Sequence, residues 1–334
     1  MKPEESGKLR ALATSPLRGD GLNRLNAMFD MIIDPWIEAE PLRMYSPEQL
    51  ADRLVKEDAR VLICEADLCS GPVFDLPLVA IASTRGNPTN VDIEGATKAG
   101  IPVITAPGRN ADGVAELTVG LLVAATRRIV TADSDVRTGN VFRDGTIPYQ
   151  RFRAWEIAGK TIGLVGLGAV GRATRWRMAG LGLDVIAYDP NSDESTESLE
   201  ELIERSDIIS MHAPMTPDTF AMISYEQFSR MRDGSIYINT ARAALHDENA
   251  LIESLQSGKL SAAALDHFEG EMLAEGHPLT KMDNVVLTPH IGGATYDTET
   301  NHTTMIADGL EKLMSGAIPA NICNPEAIGH QRRK

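Results

Sequence analysis

The sequence predicts an α/β protein made of two doubly wound units, on three observations. Short apolar runs alternate with helix-like stretches along most of the chain. The runs are continuously apolar, as parallel strands covered on both faces require. A glycine-rich turn in the second half joins one such run to a helix-like stretch.

Each element follows in order. Ser46-Pro47-Glu48-Gln49 has the spacing of a capping box with proline at the first helical position, so a helix starts there. "RVLICEA" and "PLVAIAS" predict strands, "NVDIEGATKAG" a helix and "IPVITAP" a further strand. "NADGVAELTVGLLVAATRRIV" (110–130) predicts one long apolar helix, placed to leave one unit and enter the next. From residue 160 the strands are "KTIGLVGLG", "LDVIAYD", "SDIISMH", "SIYINTA", "SAAALDHF" and "NVVLTPH". Between them "SLEELIERS" and "DENALIESLQSGKL" carry apolar residues at helical spacing, the second with Asp247 as N-cap. "TYDTETNHTTMIADGLEKLMSG" predicts a helix that returns the chain to the first unit. The expected organisation is a discontinuous substrate domain, residues 1–112 and 298–334, around an inserted nucleotide-binding domain, residues 113–297.

Composition sets the outer bounds. A chain of 334 residues can fill two hydrophobic cores, and 43% hydrophobic with 24% charged residues excludes a disordered or coiled-coil protein. The net charge of -15 disfavours nonspecific binding to nucleic acid or anionic membrane. It leaves room for a small anionic substrate at a local cationic site. Cys64, Cys69 and Cys323 are odd in number and lack metal-ligand spacing, so free thiols and no metal are expected. "MKPEESGKLR" is too polar for a secretion signal and no apolar run approaches a membrane span, so the expected location is cytoplasmic.

The motif with most chemistry is "GLVGLGAVGR". Gly166, Gly168 and Gly171 form G-x-G-x-x-G between a strand and a helix, and Asp189 ends the next strand 18 residues after Gly171. That context makes it a dinucleotide fingerprint and the fold Rossmann-like. Asp189 suits the ribose hydroxyls and repels a 2′-phosphate, and "DPNSD" brings no arginine to receive one, so NAD is expected rather than NADP. The carboxyl ends of the strands, where open α/β sheets bind ligands, collect Asp189, His212, Arg242, Asp266 and His290. Arg242 has no acid nearby in sequence until Asp247; a guanidinium in a crevice needs an anion, and a ligand carboxylate is the natural one.

Taken together, "NVDIEGATKAGIPVITAPGRNADGVAELTVGLLVAATRRI", "GKTIGLVGLGAVGR", "SDIISMHAPMTPDT", "YINTARAALHDENALIESLQSGKLSAAALDHFEGE" and "NVVLTPHIGGAT" resemble the D-isomer-specific 2-hydroxyacid dehydrogenases. The resemblance implies a catalytic arginine, glutamate and histidine at Arg242, Glu271 and His290. It also implies cofactor contacts at Val170, Gly171, Asp189, Ala213, Thr240, Ala241, Asp266 and Gly293, beside Arg242 and His290, and a homodimer formed through the NAD-binding domains. Spacing alone does not choose Glu271 over Glu269. The implied reaction moves a hydride between the nicotinamide and a small 2-oxo or 2-hydroxy acid. Oxidation of an unusual anion such as phosphite, or a non-enzymatic NADH-sensing scaffold, are the alternatives. A glutamate at 271 rather than glutamine argues against formate.

Two departures from the family pattern bear on the substrate. His267 and Met272 stand where the family usually has valine and proline, and the carboxylate-binding loop, usually glycine-rich, reads "TRGNPTNVD" with Asn87 and Pro88. Backbone amides of Arg85-Gly86-Asn87 are expected to meet the substrate carboxylate from the first domain while Arg242 meets it from the second, favouring closure. Arg85, Asn87 and Glu65 supply polar surroundings, so a small hydrophilic acid is expected over a branched aliphatic one.

Overall fold

The computed structural model describes residues 7–328. The start of the polar N-terminal stretch, residues 1–6, and residues 329–334 lie outside them. The chain forms two compact units, one from the residues up to Arg109 together with those from Thr295 onward, the other from Asn110–Ala294.

The first unit holds five parallel strands, β1 (Arg10–Ala13), β2 (Asp30–Ile33), β3 (Val61–Cys64), β4 (Ala80–Ser83) and β5 (Val103–Ile104), in the order β2-β1-β3-β4-β5. Successive residues of one strand feed different cores. Leu12, Leu62 and Cys64 pack with Leu50 and Leu54, whereas Ala11, Ala13, Val61 and Ile63 pack with Ile306 and Leu310 of the helix Tyr296–Met314. Both faces are covered, which is why these strands read as unbroken apolar runs. The helix Pro47–Lys56 starts on the expected box: Ser46 Oγ accepts from the Gln49 amide (3.3 Å) and Gln49 Oε1 accepts from the Ser46 amide (3.0 Å).

The second unit holds β6 (Thr161–Val165), β7 (Asp184–Tyr188), β8 (Ile208–Met211), β9 (Ser235–Asn239), β10 (Leu260–Leu265) and β11 (Val285–Leu287), all parallel, in the order β11-β10-β9-β8-β6-β7. The same alternation splits its strands between two cores: Ile208, Ala262 and Ala264 point to one, and Ile209, Ala263 and Leu265 to the other. The chain leaves β6 for β7 on one side and returns to β8 on the other. This reversal is the switch point that opens a crevice at the strands' carboxyl ends. Asp247 caps the helix Glu248–Gln256 by accepting from the Ala250 amide (2.9 Å), as expected.

The helix expected over 110–130 is two helices, Ala111–Arg127 and Ile129–Arg137, broken at Arg128 in the left-handed region (φ 51). The break turns Arg128 so that its guanidinium donates to the Arg151 carbonyl (3.3 Å), while Thr131 on the new helix donates to the Asp283 carbonyl (3.2 Å). Tertiary partners outweigh the continuous local helix propensity.

Candidate active site

The glycine turn is built for a close ligand. Gly166 ends β6 at φ 104, where a Cβ would lie 2.6 Å from the His212 carbonyl carbon, so only glycine fits. At Gly171 a Cβ would fall 2.0 Å from the Gly166 carbonyl oxygen, and this closeness packs the helix Ala169–Gly180 against the turn. A Cβ at Gly168 would meet nothing within 4 Å. Val170 is half-buried on the first turn of that helix. Asp189, just past β7, accepts from the Leu167 amide (2.7 Å) through one oxygen and from the Asn191 amide (2.9 Å) through the other. It ties the glycine turn to the next strand end.

Across the switch point, His212 shares a hydrogen bond of 2.9 Å with Ser210 through Nε2, and its buried Nδ1 has no partner among the described residues. Burial pushes this imidazole down to about 4, so it is neutral near pH 7. Ala213 beside it is buried.

Arg242 follows β9 through a turn held by Asn239. The Asn239 Nδ2 donates to the Arg242 carbonyl (2.8 Å) and its Oδ1 accepts from the Ala241 amide (3.0 Å). Asn239 Nδ2 also donates to His246 Nδ1 (3.0 Å), which Tyr237 Oη meets at 3.3 Å. Thr240 is buried and shares a hydrogen bond of 3.0 Å with Thr118. The Arg242 side chain itself is exposed and bonds only its neighbour, the Ala241 carbonyl (2.6 Å). No carboxylate pairs with it among the described residues.

His290 Nδ1 and Glu271 Oε1 lie 3.0 Å apart on two different turns, after β11 and β10. Both residues occupy the left-handed region, His290 at φ 54 and Glu271 at φ 61. Such backbone in non-glycine residues costs on the order of 1–3 kcal/mol each and collects at functional sites. Asp266 holds the His290 turn: buried at the end of β10, its carboxylate accepts from the Thr288 hydroxyl (2.6 Å) and the amides of Ile291 (2.9 Å) and Gly292 (2.9 Å). A Cβ on Gly293 would approach Asn110 Nδ2 to 3.1 Å. The His267 ring packs on the His290 ring with centroids 3.8 Å apart. Burial first, then the positive charges nearby, push His267 down to about 4.

In the first unit, the loop after β4 carries Arg85, whose guanidinium donates to the Thr89 hydroxyl (2.9 Å), and exposed Gly86 and Asn87. The amides of Gly86 and Asn87 donate to no acceptor among the described residues. Glu65 is not free to act as a polar wall. Its carboxylate forms an ion pair with Arg109 and accepts from Trp36 Nε1 (3.1 Å). Burial alone would raise the Glu65 carboxyl, but Arg109 and Trp36 hold it below its ordinary value.

Residues 119–292 match the D-isomer specific 2-hydroxyacid dehydrogenase, NAD binding domain. Over 319 residues the chain is 37% identical to a glyoxylate reductase of Thermofilum pendens, covering 92% of each protein. The chain belongs to the D-isomer-specific 2-hydroxyacid dehydrogenases. It is also 32% identical to the D-3-phosphoglycerate dehydrogenase of Methanocaldococcus jannaschii, across 97% of this chain and 61% of that longer protein. A solved protein of Thermus thermophilus superposes with a TM-score of 0.80 at 32% identity, over 94% of this chain and 100% of the other.

The dehydrogenase uses NAD, and the second unit's turn fits it: two glycines that no side chain could replace flank a third facing open space. A helix N-terminus of this kind offers amides and a positive dipole to a pyrophosphate. Sequence reasoning about the dehydrogenase missed Asn239, Thr118 and His246, which shape the Arg242 turn. An asparagine ending the apolar run "SIYIN" was the one available signal for them.

Proposed function

We propose that the enzyme interconverts a small polar 2-oxo acid and its 2-hydroxy acid, with Arg242, Glu271 and His290 as the working side chains. The observation that carries this reading is Arg242: an exposed guanidinium without a protein anion, on a turn braced by Asn239, at the same sheet edge as the Glu271–His290 pair. Such a group is poised to clamp a carboxylate in bidentate fashion. NAD, when bound, supplies or accepts the hydride. In reduction His290 donates a proton to the substrate oxygen, and in oxidation it takes the proton back. With Glu271 accepting from Nδ1–H, the exchanging proton is the one on Nε2.

In the first unit, the amides of Gly86 and Asn87, unpaired among the described residues, and the guanidinium of Arg85 are suited to a carboxylate, and that loop is the first unit's anion contact in this proposal. Its polar side chains favour hydroxylated acids over branched aliphatic ones. A homodimer through the NAD-binding unit belongs to the same proposal. The segment between its second helix and β6 exposes the large apolar side chains Phe142, Ile147, Tyr149 and Trp155, which a second copy could cover.

A steady-state screen of 2-oxo acids with NADH, with phosphite and NAD as a further arm, tests the reaction. The expected result is a higher kcat/KM for hydroxypyruvate than for 2-oxoisocaproate. Preference for the aliphatic acid would overturn the substrate class, and turnover of phosphite alone the reaction. Light scattering that shows only monomer would overturn the dimer.

A further inference from the structure

The geometry points to a metal-binding site at the acid–base pair, in which His267, Glu271 and His290 hold a borderline divalent transition-metal ion such as zinc and thereby block proton transfer. The blocking rests on the roles proposed above for Glu271 and His290; the binding does not.

One ligand atom from each of the three residues lies within 4.8 Å of the other two. Two imidazole nitrogens and a carboxylate oxygen suit zinc and its first-row neighbours, whereas magnesium and calcium prefer oxygen alone. Glu271 and His290 are exposed, so their side chains can close the remaining distance to the ~2.0–2.2 Å of a zinc–ligand bond. His267 is the fixed member: it is buried, packed on His290 with ring centroids 3.8 Å apart, and neither of its nitrogens has a hydrogen-bond partner among the described residues. An imidazole nitrogen without a hydrogen-bond partner keeps a lone pair that a metal ion can take up. The local charge permits a cation, because Glu271 and the buried Asp266 outweigh Arg242.

His267 supplies the third ligand. With valine there, only the Glu271–His290 pair would remain. A bound ion occupies a His290 ring nitrogen, so the imidazole can no longer cycle between its protonated and neutral forms and proton exchange with substrate stops.

The test is competition for zinc against a chromophoric chelator, using the full chain and His267→Val, with circular dichroism to show that the variant is folded. The wild type should take up one zinc more per chain than the variant. Removing even an outer partner of a ligand weakens metal binding by about 10–100-fold, so loss of a direct ligand should cost at least that much. Equal zinc uptake by both proteins would overturn the site, as would zinc uptake by neither. A second variant, His267→Cys, keeps a soft ligand and should restore uptake; failure to do so in a folded protein would count against the site. NADH-dependent reduction, read as the fraction of each protein's own zinc-free rate, should fall in the wild type and recover on adding a chelator, while His267→Val resists the same zinc. Wild type that takes up the extra zinc without losing rate would keep the site and remove Glu271–His290 from the chemistry. Zinc-free protein inactive on every 2-oxo acid would overturn the proposed reaction, with the zinc titration still deciding the site.

Discussion

Acid should destabilise the second unit through imidazoles that it buries without charge. Burial holds His212 and His246 at about 4, whereas an imidazole in the unfolded chain titrates near ~6.5. Because the folded values are the lower ones, the unfolded state takes up protons first as pH falls. Their contribution is complete above pH ~6.5 and is lost progressively toward pH ~4. Between about pH 7.5 and about pH 5.5 each group should cost about 1.3 kcal/mol, or roughly 3 kcal/mol for the two. His267, also lowered, acts in the same direction. His246 isolates one share of the effect: its Nδ1 accepts from Asn239 Nδ2 (3.0 Å), and protonation there abolishes that acceptor. In His246→Gln the amide oxygen can still accept from Asn239 but cannot titrate. Urea unfolding followed by circular dichroism at the two pH values should show the variant losing about 1.3 kcal/mol less than the wild type. Equal losses would show that His246 is not held neutral in the folded unit.

Three further outcomes test the site. Arg242→Ala should lower kcat/KM by about 100-fold or more, mostly through KM, and Arg242→Lys should restore little of it because the bidentate fork is gone; unchanged KM would remove Arg242 from substrate binding. Asp189→Ala should weaken NADH binding and raise the relative use of NADPH, since a repulsive charge and the acceptor for the Leu167 amide are both lost; wild type whose kcat/KM favours NADPH would contradict the reading. Gly171→Ala places a methyl 2.0 Å from the Gly166 carbonyl oxygen, so the variant should melt lower and lose its stabilisation by NADH; a thermal shift equal to wild type would refute this.

The parts legible in the sequence share one physical trait, a local pattern with one dominant solution. The glycine spacing, the capping residues Ser46 and Asp247 and the apolar runs of β3 to β11 are of this kind. β1, β2 and the helix Asp20–Met28 were not legible. "RALA" is rich in alanine, a poor strand former, and β2 is a half-exposed edge strand whose sequence does not alternate. The break at Arg128 depends on Arg151 and Asp283, far away in sequence. Within the site, Arg242 announced itself by lacking a local partner. Glu271 did not, because only the fold brings it, rather than Glu269, to His290. Glu65 was legible as a polar group but not as one committed to Arg109, a pairing made 44 positions along the chain.

Gly168 has a different kind of importance from the glycines on either side of it. Its backbone, at φ -65 and ψ -165, lies in a region open to any residue, and a Cβ there would touch nothing within 4 Å. The fold of the chain therefore places no demand on this position. A mutational scan scored by cellular abundance would let Gly168 drift freely while rejecting changes at Gly166 and Gly171. The same library scored by turnover would reject changes at all three. The gap between the two maps would mark, residue by residue, where the polypeptide is shaped by its guest and not by itself.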